Sequence, residues 1–209
     1  MALIKGALAS FSDPLLGAVP TVVTFQYNPA AVTRVFRLQA KAGSGEGSGS
    51  ALNVSDNAVE EYSLTLELDA TDGLEHGGPL TTAYGVSPRL AALEMLMQPV
   101  GKSLLGGLAG SLLGVGGGQP IPAGKLPLVL FMWGPGRITP VKLTSLTIHE
   151  TAFDELLHPI HASADLGFTV LRPSDVPASE RLAHAAAVYY QGTREAKAVI
   201  QLAQIPELT

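Results

Sequence analysis

The sequence predicts a mainly β body with one helix on its flank and a helical tail, and three stretches carry that prediction. Glu61 to Asp69 (EYSLTLELD) alternates with a period of two. Tyr62, Leu64, Leu66 and Leu68 face one way, and Glu61, Ser63, Thr65, Glu67 and Asp69 the other, as in a strand with one buried face. Leu126 to Trp133 (LPLVLFMW) is an unbroken apolar run of the length expected for a strand buried on both faces. Ala178 to Ile205 is alanine-rich and helical in pattern, with Gly192 its one internal weak point. The chain therefore divides into a β-rich body over 1–176 and a helical extension over 177–209.

The remaining elements follow in order. Ile4 to Ser12 forms a first strand, broken by Asp13-Pro14. Val19 to Tyr27 is rich in β-branched and aromatic residues, and Pro29 ends it, since proline cannot donate to a ladder and pushes Asn28 out of the helical region. Thr33 to Gln39 reads as a further strand, and Ala42 to Ser50 (AGSGEGSGS) as a flexible loop. Ser87 is placed as the cap of a helix that starts at Pro88, carries Leu90, Leu93, Leu96 and Met97 at helical spacing, and stops at Pro99. Ser103 to Gly124 is uncharged and glycine-rich; its apolar part is too short to span a bilayer. Ile138 to Ala152 and His161 to Leu171 both alternate and flank a short connection, Phe153 to Pro159, so they predict a long β-hairpin. In the first arm, Val141, Leu143, Ser145 and Thr147 oppose Lys142, Thr144, Leu146 and Ile148. Pro173 and Pro177 bound a linker to the tail.

Composition narrows the function classes. Charged residues make up 15% of the chain, net charge is -5, and the thirteen Lys and Arg are scattered, so no nucleic-acid footprint is expected. A hydrophobic fraction of 46% with mean hydropathy +0.28 is high for a free monomer and points to surface buried against copies or partners. The absence of cysteine excludes disulfides, thiolate metal sites and cysteine nucleophiles. Met1 to Ser10 has no hydrophobic stretch of secretory length, and no direct membrane insertion is expected.

Chemistry-bearing motifs are sparse. Val100-Gly101-Lys102-Ser103 resembles the end of a phosphate-binding loop, but Leu96 occupies the required glycine position and no strand feeds it. Asp154, His158 and His161, with His149 and Glu150 upstream, offer a metal set without a fourth ligand, and the simpler reading is a polar hairpin turn. Glu61, Glu67 and Asp69 sit together on the solvated face of one strand rather than as an acid and base pair. No catalytic residue, cofactor or metal is therefore assigned. Two rivals to an assembly role are a binding module with one concave pocket and a small hydrolase using His158, His161 and Asp154.

An ordered series of segments resembles a known family. It consists of FQYNP at Phe25 to Pro29, LTLELDAT at Leu64 to Thr71, LPLVLFMWG at Leu126 to Gly134, TSLTIHETAFDE at Thr144 to Glu155, and HPIHASADLGFTV at His158 to Val170. Over about Thr21 to Pro173 this is similar to the tube and baseplate-hub adaptor proteins of bacterial contractile injection systems. The resemblance implies a β-barrel or sandwich of phage tail-tube type, with six copies in a ring joining the spike hub to the inner tube and touching baseplate wedge components. It also implies assembly in the bacterial cytoplasm and residence in a phage tail-like particle, released or retained. Interface candidates are Phe25, Tyr27, Asn28, Pro29, Trp133, Tyr189 and Tyr190; Phe25 and Tyr27 are expected to pack the barrel, and Asn28-Pro29 to turn its corner. The polar side of Tyr62 to Leu68 is the expected lumen wall. Many members of the family continue into a LysM module, but no Gly-Asp-Thr-Leu opening occurs here, and a docking helix stands in its place. Deleting everything after Pro177 is expected to leave the body folded but to weaken incorporation into particles.

Overall fold

A computed structural model describes residues 4–11, 21–38, 58–75, 77–99 and 124–203. The turn at Asp13-Pro14, the loop from Ala42 to Ser50, the stretch from Val100 to Ser103 and nearly all of the glycine-rich segment lie outside the described residues. Seven strands make one antiparallel sheet: β1 (Ala7–Phe11), β2 (Thr21–Thr24), β3 (Val32–Arg37), β4 (Val59–Asp69), β5 (Leu128–Met132), β6 (Ile138–Phe153) and β7 (Pro159–Val170). Their spatial order is β2-β1-β5-β6-β7-β4-β3. Strands close in sequence pair where a short turn allows it, as in the β6–β7 hairpin, whose register runs from Val141 opposite Val170 to Phe153 opposite Pro159.

The described fold is mainly β, but its ladder is open. β2 and β3 follow one another in sequence and lie at opposite edges of the sheet, so the hydrogen bonds do not close a barrel. The residues between them explain why: β2 has only four residues, and the corner after it is tied to the start of β1 instead.

The main core lies on one side of the sheet. Leu64, Leu66 and Leu68 of β4, Phe131 of β5 and Leu166 and Phe168 of β7 are all buried there, with Phe25 from the corner beyond β2. Phe131 is its centre, stacked on Phe168 at 6.0 Å and on Phe25 at 6.3 Å, with the Tyr62 ring edge-on at 5.7 Å. Aromatic rings in offset and edge-on arrangements add to the area they bury.

Four helices accompany the sheet among the described residues: α1 (Thr71–Glu75), α2 (Pro79–Tyr84), α3 (Ser87–Glu94) and α4 (Arg181–Ala203). α3 seals the core with Leu90 and Leu93, and the following 3₁₀ turn adds Leu96. Its cap is Val86 rather than Ser87, and no side chain hydrogen-bonds there; Ser87-Pro88 already form its first turn. The Val86 N–H instead donates to the Pro159 carbonyl at 2.8 Å, fixing α3 to the end of the hairpin.

A bulge corrects the simple alternation of β6. The register shifts between Leu143 and Ser145, so one extra residue, Thr144, stands against the facing strand. The side-chain phase flips there. Leu146 and Ile148, on the opposite face from Val141 and Leu143 by simple alternation, pack against the same core.

Candidate assembly interface

The site begins with a charge where the strand period calls for an apolar residue. Glu60 shares the parity of Tyr62, Leu64, Leu66 and Leu68, so β4 points its carboxylate inward, and its side chain is 3% exposed. Burying a carboxylate without partners is costly, and this one is surrounded by donors. Arg34 of β3 donates Nε at 3.0 Å and Nη2 at 2.6 Å to Oε1, and the Tyr190 hydroxyl of α4 donates to the same oxygen at 2.8 Å. Arg194, one turn further along α4, donates to Oε2 at 3.1 Å. The Tyr62 and Tyr190 hydroxyls lie 3.2 Å apart, and the Arg34 and Arg194 guanidinium groups both lie over the Phe36 ring, at 5.3 and 5.2 Å.

This cluster joins three elements, β3, β4 and α4. Burial pulls the Arg34 guanidinium down, but the Glu60 hydrogen bond and nearby oxygens outweigh it and hold its pKa above the usual value. Burial, with hydrogen bonds to Tyr62 and Glu60, pushes the Tyr190 hydroxyl far above the ordinary tyrosine range. A second seam, Ala183 of α4 against Leu128 and Val176, holds the start of the helix.

The interface candidates fall into different settings. Phe25 is 2% exposed and is a core residue, and Trp133 packs beside it on Phe131 at 5.9 Å. Asn28 completes the β1 edge: its Oδ1 accepts from Gly6 N–H at 2.9 Å, and its Nδ2 donates to the Ile4 carbonyl at 2.9 Å. Its amide thereby stands in for a backbone pair at the corner. Tyr27 is 45% exposed, and with Asn28 and Pro29 it lines one wall of a groove of about 590 Å³ whose other wall is Thr65, Glu67 and Asp165. Tyr189 is half exposed and Tyr190 sits inside the Glu60 cluster. The sequence reading included Tyr190 and missed Glu60, Arg34 and Arg194; the signal for Glu60 was its parity.

Exposed apolar side chains concentrate at the sheet edges, the hairpin tip and α4. Val22 on β2, Val35 and Phe36 on β3, Phe153, Leu156 and Leu157 at the tip, and Val199 and Ile200 on α4 are all exposed. β3 is exposed along nearly its whole length on both faces.

The hairpin acids and histidines have separate partners. Asp154 Oδ1 accepts the Leu156 and His158 N–H groups at 2.8 and 2.7 Å, and its Oδ2 lies 3.0 Å from His158 Nδ1. These bonds, the His158 N–H first, hold the Asp154 carboxyl below its usual range. His161 faces Glu67 at 3.6 Å and Thr151 at 2.8 Å, while His149 faces Asp165 at 3.7 Å. Among the described residues, no three His, Asp or Glu side chains gather as a metal set, and no helix is long and apolar enough to cross a membrane.

No protein-family model matches the chain, and no curated protein matches it either.

Proposed function

We propose that the chain is a structural subunit of a bacterial contractile injection system, a hexameric adaptor layer between the spike hub and the inner tube. The observation that carries this reading is the pair of sheet edges, β2 and β3, that no other described strand pairs with. A free β-domain protects its edges with charge, bulges or cover; β3 carries Arg34 and Arg37, yet Val35 on β3 and Val22 on β2 are still exposed to solvent. Joining β2 of one copy to β3 of the next would continue the sheet around a ring and complete a barrel of tail-tube type. Such a joint is head-to-tail and closes only in a ring. The sheet face opposite the core then carries Ser63, Thr65, Glu67 and Asp165, a hydrated wall suited to a conduit.

In this reading the protein works by assembly, with no catalytic group, cofactor or metal. Its partners are copies of itself, the hub, the tube and the wedge components, and it resides in a phage tail-like particle. Negative-stain microscopy of the purified chain tests it: six-fold rings are expected, and Val35→Lys should abolish them while leaving circular dichroism unchanged. A stable, soluble monomer at high concentration overturns the proposal. The groove beside Tyr27 favours a second reading, a monomeric binding module for a small ligand; that reading predicts no rings and a saturable ligand at Tyr27.

A further inference from the structure

Strand β4 has a break in its pairing where the groove beside Tyr27 opens. Successive residues of an antiparallel strand aim their N–H and C=O groups to opposite edges, so one edge is served by every second residue. Asp69 serves the edge that faces β3: its N–H donates to Gln26 Oε1 at 3.0 Å, and its carbonyl accepts from Gln26 Nε2 at 2.8 Å. The Ala70 N–H, one residue on, points the other way, to the Ile160 carbonyl. Ser63 shares the parity of Asp69, and Thr33 of β3 stands opposite it. Glu67 shares that parity too, but the β3 ladder starts only at Val32, opposite Leu64. Continuing its register would set Pro29 against Glu67, and proline has no N–H to give. Among the described residues, nothing bonds the Glu67 N–H or carbonyl.

The groove at this break has a charge as well as a shape. Its volume of about 590 Å³ falls in the range of ligand sites. The Glu67 and Asp165 side chains are 51% and 52% exposed there, and no described lysine or arginine lines it. The cationic groups nearest the two carboxylates are His161, 3.6 Å from Glu67, and His149, 3.7 Å from Asp165. A ligand that pairs with Glu67 must offer a donor and an acceptor together, as the Gln26 amide does two residues along the same edge. An extended polypeptide offers that pair, and the side chain of its pairing residue lies on the same sheet face as the Glu67 side chain. Opposite charge there favours a basic residue.

We infer that the groove binds an extended peptide whose backbone pairs with the Glu67 N–H and carbonyl, and whose lysine or arginine at that position lies against Glu67 and Asp165. Such binding gives the groove beside Tyr27 a ligand class whether or not copies of the chain join in a ring.

Fluorescein-labelled acetyl-Thr-Val-Lys-Val-Thr-amide, titrated with the full-length protein and followed by anisotropy, should saturate with a Kd of roughly 1 mM or tighter. The Glu67 amide resonance should shift with the same midpoint. N-methylation of the peptide's lysine amide removes the donor to the Glu67 carbonyl and should weaken binding roughly threefold to tenfold. Exchanging that lysine for glutamate should weaken it about tenfold or more, and Glu67→Gln and Asp165→Asn in the protein should each weaken it severalfold. No saturation below about 5 mM overturns the proposal, as does equal binding of the N-methylated or the glutamate peptide. Butylamine bound as tightly as the peptide would mean a site for charge alone; it overturns peptide pairing while leaving a small-ligand groove standing. Val35→Lys, which should remove rings, should leave peptide binding intact, so the two readings fail separately.

Discussion

Replacing Glu60 by alanine tests whether the buried cluster holds the tail to the sheet. The carboxylate accepts four hydrogen bonds, two from Arg34 and one each from Tyr190 and Arg194. Stripping one partner from a fully buried ion pair costs about 3–5 kcal/mol, whereas an exposed pair contributes about 0–1 kcal/mol. Here the carboxylate side chain is 3% exposed, but the Arg34 and Arg194 side chains are 38% and 50% exposed and can turn to water. Tyr190 keeps the Tyr62 hydroxyl as a partner. The intermediate setting gives about 2–3 kcal/mol for Glu60→Ala. For a chain of 209 residues that lowers Tm by roughly 4–12 °C, at about 2–4 °C per kcal/mol. Urea unfolding followed by circular dichroism measures the loss, and hydrogen exchange should show faster opening of α4 than of β4 or β7. A double-mutant cycle with Arg194→Ala should return a coupling of about 1 kcal/mol. Glu60→Ala within about 0.5 kcal/mol of wild type, with α4 still protected, would refute the reasoning.

Three further perturbations probe the parts around this cluster. Asn28→Ala removes both side-chain bonds to the start of β1 and should cost about 1–2 kcal/mol in urea unfolding, with exchange at the Gly6 N–H sharply faster. Gly85→Ala drives a Cβ into the Pro159 carbonyl oxygen, at a backbone angle of φ +57°, and should cost roughly 3 kcal/mol or more, read as loss of soluble folded protein or a large drop in Tm. Alkaline pH should release the tail: the Tyr190 pKa is raised on folding, so its contribution is complete below the unfolded value near 10 and is lost as pH rises above it. The 295 nm difference between wild type and Tyr190→Phe should therefore stay flat through pH 10 and rise only with loss of helix signal. A midpoint near 10 with the helix intact contradicts the assignment.

Much of the sheet was legible because its strands obey local rules. The β4 alternation, the apolar β5 run and the two hairpin arms each appear within a residue or three of where the pattern put them. The bulge at Thr144 was not legible, since an extra residue leaves no mark in a sequence that alternates acceptably in either phase. α1 and α2 were missed because five or six residues give too short a period to see, although Asp69 before Thr71 was a usable cap signal, its Oδ1 accepting the Thr71 N–H at 2.7 Å. The candidate site was half legible. Tyr190 stood out as an aromatic in an alanine-rich helix, but its partner Glu60 lies 130 residues away in sequence, and only the charge at a core-phase position announced it.

That long-range cluster changes what a truncation of the tail can report. Cutting after Pro177 was expected to leave the body intact, yet it would remove Ala183 from Leu128 and Val176 and take two donors from Glu60. A domain stable by only about 5–15 kcal/mol would lose a large share of that margin, so failed assembly of such a variant would reflect a weakened body. A cut after Glu195 avoids the confusion. It keeps Ala183, Ala187, Tyr190 and Arg194 in place and removes the part of α4 that carries exposed Val199 and Ile200. The expected result is a Tm within about 2 °C of wild type. Should the shorter cut also destabilise the body, residues beyond Glu195 hold the sheet, and α4 is a structural strap along its whole length instead of a docking arm.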